Sequence, residues 1–454
     1  MKVNNFMLLL VCTGIVMSFM GCEKYLDIKS DSKLLIPGKL NEIQGILDDV
    51  GQMNNGRTPS YAEAVGGDFF LPTIGTLNQS VRDIYVWKKF DYQFPNDWSN
   101  GYLPIYNANL SLELLDKLGR NNKNAVEWDN VKGSSLFFRS YYLYLLTAQY
   151  GLGFNSATSG NEPGVVIRLS SDFNIRSVRS TVNECLGQAI RDAEEASALL
   201  PDIPVVLTRP SKAAAFAQLS RIYLYMRDYE NALIYADKCL KIKSELMDFN
   251  TDTDVLGLTL NVPFKKFNKE TVFYTEMSTG FGLHAPSSAR IDTALYNSYL
   301  PNDLRKTAYF KANGLYQQFK GSYSSSASVL FSGFATDEIY LNRAESKAWL
   351  GDIGGAMDDL NFLLKKRWRV SAPYSPLTSV NKIDALRKIR TERRKELLMR
   401  GLRWADLKRY NKEGEEIRLQ RVINGVSYFL EPNSLFYAVP LPADIIELTG
   451  IPQN

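Results

Sequence analysis

The spacing of apolar residues predicts an all-α protein: a scaffold of about four helix pairs that carries long irregular loops and a few short β-hairpins. Two observations point to the helices. Residues 181–200 and 211–242 keep helical periodicity, and the second stretch is broken only at Arg227-Asp228-Tyr229; a weaker copy of that pattern recurs at 340–363. A third observation concerns the remainder. Residues 51–97 are rich in Gly, Asn, Pro and aromatic residues without a sustained period, which reads as ordered loop around short elements.

The elements follow in chain order. Behind Lys2, residues Phe6 to Phe19 form an apolar run of 14 residues that ends at Met20-Gly21-Cys22 and is followed by Glu23, Lys24 and Asp27. As a helix the run reaches about 21 Å at ~1.5 Å per residue, short of the ~30 Å hydrocarbon core. A charged start, an apolar centre and a small residue before the cut describe an export leader, residues 1–21, with Cys22 exposed by cleavage as the residue that takes lipid. Lipoprotein leaders usually place Leu three residues and a small residue two residues before that cysteine, where this chain has Phe19 and Met20; an ordinary secretory cut or an uncleaved anchor are the alternatives. Residues 22–38 then form a tether, and 39–454 a single domain.

Within that domain Leu40, Ile43, Ile46, Leu47 and Val50 predict the first helix, and 105–118 and 128–150 predict two more, the latter stopped by Gly151. Thr181 caps the next helix, with Glu184 three residues on completing a capping box, and Pro201 follows its end. In 211–242, Phe216, Leu219, Ser220 and Tyr223 precede Ala232, Ala236 and Cys239, the offsets of a tetratricopeptide repeat, whose small residues let paired helices approach. Tyr340, Ala344, Ala356, Leu360 and Leu363 repeat the pattern around a Gly351-Asp352 turn, and the 128–150 and 181–200 helices are a candidate third pair interrupted by an insertion. Residues 271–277 alternate partly like a strand. Asn424-Gly425, between two short β-prone runs, is a two-residue hairpin signal.

Composition excludes several chemistries. His284 is the only histidine, and nothing around it resembles a nucleophile turn, so histidine-assisted nucleophiles and His/Cys zinc clusters have no material. No Gly-rich phosphate loop or dinucleotide fingerprint is present. A hydrolase would need two facing carboxylates, which a sequence with 49 acidic residues neither supports nor excludes. The chain reads as a non-enzyme without a cofactor; an oxygen-rich stretch at 250–254 lacks the spacing of a calcium loop. Lys and Arg exceed Asp and Glu by 53 to 49, which predicts no particular partner. The basic run 387–409 alternates with Leu386, Ile389, Leu397, Leu402 and Leu407, as expected of arginines paired with local carboxylates on packed helices rather than of a nucleic-acid surface. Once Cys12 leaves with the leader and Cys22 takes lipid, Cys185 and Cys239 remain. Buried free thiols are expected there, with a bridge between them as the alternative.

The same basic run carries a resemblance. Arg393-Arg394-Lys395-Glu396-Leu397, Arg400-Gly401-Leu402-Arg403-Trp404 and Asp406-Leu407-Lys408-Arg409-Tyr410 resemble the C-terminal signature of the SusD/RagB family of outer-membrane nutrient-binding lipoproteins of Bacteroidetes. Phe137-Phe138-Arg139 through Tyr150-Gly151, Ala193 to Pro201, Ala213 to Tyr225, Arg343-Ala344-Glu345 and the closing Ile451-Pro452-Gln453-Asn454 agree with that family in order. The resemblance implies a non-catalytic protein on the cell surface, held in the outer membrane by lipid on Cys22. It implies a SusC-like TonB-dependent transporter as partner and an oligosaccharide, or in some members a peptide, as ligand. It also implies that repeat helices face the transporter while variable loops hold the ligand. A helical adaptor that binds only protein is the competing reading.

A sugar site needs rings to stack on pyranose faces and polar side chains to meet hydroxyls. Residues 68–100 supply Asp68, Arg82, Tyr85, Trp87, Trp98 and Asn100, in the part of the chain that resembles the family's glycan contacts; the loops 279–288 and 316–328 add Phe281, His284 and Tyr323. For Trp98, placed ahead of Tyr102 and Ile105 at helical spacing, a core position is the alternative, and for Asp68 a turn cap.

Overall fold

The computed structural model describes residues 37–75 and 77–454. The leader, Cys22 and the tether as far as residue 36 lie outside the described residues. The long helices are α1 (Leu40–Asp48), α2 (Asp97–Leu118), α3 (Ala125–Tyr150), α4 (Val182–Leu199), α5 (Lys212–Met226), α6 (Tyr229–Ile242), α7 (Thr336–Leu350), α8 (Ile353–Arg367), α9 (Lys382–Glu396) and α10 (Arg403–Lys412). From α2 to α8 each helix packs on the next, and α9 closes against α7. The eight helices α2–α9 match about four pairs in number, and the all-α repeat architecture is the one the periodicity predicts.

Local chemistry explains the helix boundaries. α4 starts where expected: the Thr181 hydroxyl accepts from Glu184 N at 3.2 Å and the Glu184 carboxylate accepts from Thr181 N at 2.8 Å. Between α5 and α6, Arg227 takes the left-handed conformation and Asp228 caps α6 through Asn231 N. Ala232 and Ala236 are fully buried, and Ser220 Oγ donates across the pair to Ala232 O at 3.1 Å, so small side chains do set the close approach. α7 and α8 repeat this, with Gly351 at φ 96° and Asp352 capping through Gly355 N at 2.9 Å. α2 begins eight residues before the expected Ile105. Asn96 and Ser99 form a capping box ahead of Pro104, which the helix accommodates although proline reads as a breaker.

Among the described residues the strands form four two-stranded ladders: β1 (Phe69–Phe70) with β3 (Arg290–Ile291), β2 (Thr271–Phe273) with β6 (Phe334–Ala335), β4 (Phe310–Asn313) with β5 (Tyr316–Phe319), and β7 (Leu419–Ile423) with β8 (Val426–Leu430). The β7–β8 turn is Asn424-Gly425 with φ 49° and 79°, the positive pair that a type I′ turn requires. β1–β3 and β2–β6 join segments far apart in sequence, which short-range patterns could not reveal.

Among the described residues the main apolar cluster runs from Ile43 to Ile451, and a small second one joins Leu224, Tyr229 and Ala232. Cys185 and Cys239 are both buried and free. Among the described residues no helix is long and apolar enough to cross a membrane. The arginines of the basic run are paired, but mostly with distant carboxylates rather than local ones. Arg390 and Arg409 share Glu345 on α7 at 2.7 and 2.6 Å, Arg400 binds Asp337 at 2.8 Å, and Arg394 binds Asp68 at 2.7 Å. Asp406, which meets Arg393 and Arg409 at 2.9 Å, is a local partner. Lys408 has no carboxylate among the described residues; its ammonium donates to Ala148 O and Gly151 O at 2.5 and 2.7 Å, capping the end of α3.

Burial alone would raise the Glu345 carboxyl, but the guanidinium groups of Arg409 and Arg390 overcome it and hold the pKa down to about 2. Glu345→Gln therefore removes the carboxylate that two buried guanidinium groups share, leaving Arg390 to Glu413 and Glu415 and Arg409 to Asp406, at a cost of roughly 3 kcal/mol in urea denaturation at pH 7. The contribution of a depressed carboxylate is complete above the ordinary value of 4.5 and is lost as the pH falls towards 2, so the gap between wild type and variant should close over that window.

Candidate functional site

Three loops meet beside the helical scaffold. The first leaves the short helix Tyr61–Val65, turns at Gly66-Gly67 and forms β1. The second, residues 278–289, leads into β3, which pairs with β1 through Phe69 opposite Ile291 and Phe70 opposite Arg290. The third is the β4–β5 hairpin, whose exposed Tyr316 meets Phe70 edge-on at 4.8 Å. Between the first two lies an open groove of about 260 Å³, with Leu71, Thr73 and Leu77 on one wall and Phe281, Leu283 and Arg290 on the other.

Buried polar contacts hold these walls. Asp97, in the first turn of α2, accepts from Ser60 N at 2.6 Å, Tyr61 N at 2.8 Å, Gln149 Nε2 at 3.2 Å and Ser278 Oγ at 2.6 Å. Burial raises its pKa, and those donors pull it back. The second loop passes this anchor at Gly280, φ 45°, where a Cβ would lie 2.1 Å from Ser60 Oγ; only glycine fits. Just beyond, Phe281 stacks on Tyr61 at 4.5 Å with an interplanar angle of 14° and is half-buried. Phe90 and Tyr92 complete the aromatic bed, at 6.2 and 5.9 Å. Arg290 donates only to the nearby carbonyls of Ser287 and Ala289, so among the described residues its guanidinium has no carboxylate partner.

Of the nine residues expected at a ligand site, only Phe281 lines the groove. Tyr85 stands directly behind the wall: its buried hydroxyl accepts from Leu71 N at 2.8 Å, and its ring lies 3.7 Å from the Arg421 guanidinium. Trp87 is buried beside the same guanidinium and donates to Val65 O at 3.2 Å. Asp68 is buried against Arg394, with Arg403 at 3.7 Å, and presents no surface to a ligand here. His284, within the second loop, is buried, Nε2 at 3.1 Å from Ser278 O and Nδ1 without a partner among the described residues. Tyr323 is buried elsewhere, donating to Glu270 at 2.6 Å beneath Arg400. Arg82 is half-exposed on the short helix Gln79–Tyr85 and donates to Gln79 at 3.0 Å; Asn100 accepts from Arg57 at 3.2 Å. Trp98 is buried between Tyr102 and Tyr150 and lines a different pocket, of about 230 Å³, between α2 and the residues that follow α3. Arg290, Leu71 and Tyr316 were not singled out from sequence. The available signal was proximity: Arg290 lies two residues past the 279–288 loop, and Tyr316 opens the third.

Two family models match the chain. A SusD-like model described as starch-binding and associating with the outer membrane matches residues 24–224, and a model of the SusD family matches residues 271–437. No curated protein matches it. Among solved structures, a SusD superfamily protein of Bacteroides thetaiotaomicron aligns with a TM-score of 0.75 at 19% identity, covering 92% of this chain and 99% of that one. A SusD-like carbohydrate binding protein of Bacteroides vulgatus gives 0.68 at 19%, covering 91% and 97%. A laminarin binding SusD-like protein gives 0.64 at 18%, with the same coverage. At these identities the structural likeness is one of fold.

Burial lowers the His284 pKa to about 4 from its ordinary 6.5, against the opposing hydrogen bond to Ser278. As the only imidazole in the chain, its ring-proton resonance should not move between pH 5.5 and 8 in the folded protein. Stability should fall as the pH drops from 6.5 towards 4, because the unfolded chain takes up a proton that the folded one refuses. A titration midpoint near 6.5 in the folded state would mean that His284 is exposed.

Proposed function

Because the chain belongs to the SusD family, we propose that it is a lipid-anchored, surface-exposed nutrient-binding protein. It captures an oligosaccharide for a SusC-like TonB-dependent outer-membrane transporter and is not a catalyst. The observation that carries this reading is the groove between the first two loops, with a fixed ring at Phe281 and an uncommitted guanidinium at Arg290. A pyranose ring stacks on an aromatic face while its hydroxyls need directed polar partners, and the groove offers both. The description of the matched family model, starch-binding and associating with the outer membrane, supports the same ligand class and location. The leader and Cys22 support the anchor.

Phe281 and Arg290 then touch the sugar, Tyr316 and Arg82 extend the surface, and Tyr85, Trp87, Asp68 and His284 hold the loops in place. The lipid keeps the protein at high local concentration beside its transporter, so a modest interface suffices to hold the pair.

In affinity electrophoresis against laminarin, starch and xylan, Phe281→Ala and Arg290→Ala should each weaken retention by about tenfold, equivalent to 1.4 kcal/mol. Arg290→Ala should do so with an unchanged unfolding midpoint, since that side chain bonds only to neighbouring carbonyls. Retention equal to wild type in both variants would remove the groove as the site. Cys22→Ser should move the protein from the membrane to the soluble fraction and abolish incorporation of labelled fatty acid.

A further inference from the structure

A second cavity shares no residue with the Phe281 groove. At the end of α8 the chain turns through Trp368 and Tyr374, whose rings stand between two open spaces of about 380 and 450 Å³ and line both. The smaller space has Leu300, Leu364 and Leu377 on its walls, and its floor is the buried set Asp303, Arg305, Glu392 and Lys395.

Three properties of this cavity define an occupant. The rings are fixed in advance: Trp368 Nε1 donates to Pro373 O at 3.1 Å, the Tyr374 hydroxyl donates to Asn361 Oδ1 at 2.7 Å, and the ring centroids are 5.9 Å apart. Their polar tips are consumed and their half-buried faces remain. The backbone beneath is tied down as well, by Leu304 N to Arg367 O at 2.8 Å and Arg369 N to Asn302 O at 2.9 Å. Every charge of the floor, finally, has a partner. Arg305 bridges Asp303 and Glu392 at 2.7 and 2.6 Å, and Lys395 meets Glu392 at 2.8 Å.

The third lining cation, Arg367, is spent on Glu396 and Glu270, so no lining charge is left without a partner to draw an ion, yet each Glu392 oxygen accepts one bond there and keeps a free lone pair. A purely apolar occupant would strip water from that carboxylate without replacing it, and an anion would face it. An uncharged ring with one apolar face and outward hydroxyls satisfies both walls and floor. We propose that the Trp368–Tyr374 cavity is a second sugar-binding subsite, independent of the groove, in which a neutral pyranose stacks on the rings and gives a hydroxyl to Glu392. This rests on the reading of the protein as a glycan binder. Two subsites on one chain would let a long polysaccharide be held at both, with a gain in avidity and no new contact.

The test uses mature protein labelled with 5-fluorotryptophan, the Trp368 resonance being assigned with Trp368→Phe. The probes are laminariheptaose, maltoheptaose and xylohexaose. The Trp368 resonance should shift saturably with at least one probe in wild type, in the double variant Phe281→Ala/Arg290→Ala and in Tyr374→Phe, which keeps the ring. In Tyr374→Ala the midpoint should rise about tenfold or more. If wild type is retained by glycan in affinity gels while the Trp368 resonance stays fixed with every probe, the subsite is overturned and the groove stands. If Trp368 responds in wild type but not in the groove double variant, its response is secondary to the groove and the subsite is likewise overturned. If wild type binds none of the probes by either readout, the subsite and the glycan-binding reading fall together.

Discussion

Ion pairing in the interior constrains this structure more than any other interaction. Glu396 on α9 binds Arg305 at 2.9 Å and Arg367 at 2.8 Å, Glu345 on α7 binds Arg390 and Arg409, and Arg367 reaches Glu270 at 2.7 Å. Arg221 on α5 holds Glu338 at 2.6 Å and the Gly333 carbonyl at 2.9 Å. Nearly all these side chains are excluded from solvent. A buried charge without a partner is strongly destabilising, so helices from different parts of the chain must meet in one register that satisfies every member together. Such networks add little net stability over an apolar core of equal volume. Their consequence here is positional, because α5, α7, α8, α9 and α10 cannot slide against one another without stranding a charge.

The loops inherit that rigidity. Arg394 on α9 reaches Asp68 at the root of β1, Gly401 N donates to Glu63 at 2.8 Å, and the Arg421 guanidinium donates to Ala64 O at 2.9 Å and to Tyr85 O. Desolvation and the nearby Asp68 raise the Glu63 carboxyl well above the ordinary carboxylate range, against the Gly401 N–H and Arg403. On the other side of the groove, Asp97 holds Ser278. Groove walls made of irregular chain are thus clamped to helices by buried side chains, and under the proposed function a ligand is spared the entropy of ordering them. The chain end joins the scaffold similarly: Asn454 Nδ2 donates to Tyr150 O at 3.0 Å, and Gln453 brackets Leu441.

Legibility divides by the range of the interaction concerned. The Thr181–Glu184 box, the Ala232/Ala236 contact, the Gly351-Asp352 turn and the Asn424-Gly425 hairpin each depend on residues a few positions apart, and each stands where the pattern put it. The family signature was legible for the same reason, since its motifs are contiguous runs. The candidate site was legible as loops and not as residues. Segments 68–100 and 279–288 supply the groove walls and Tyr316 stands beside Phe70, while Tyr323 is buried elsewhere; acid, arginine and ring types cannot by themselves be sorted into those that face a groove and those that face the interior.

Asp68 illustrates the division. Its chemistry suits a sugar hydroxyl and a buried guanidinium equally, and only the position of Arg394, 326 residues away, decides between them. Trp98 suits core and platform equally, and the start of α2 at the Asn96 cap turns its ring towards Tyr102 and Tyr150. By itself, then, the sequence determined an all-α repeat protein of recognisable family, with its helices, turns and caps, because those follow from periodicity and neighbour chemistry. Which arginine meets which carboxylate, which loops share a groove and which rings remain half-exposed were decided only by the tertiary structure. Those depend on pairing across hundreds of residues, where many partners are chemically equivalent until the fold brings one of them within reach.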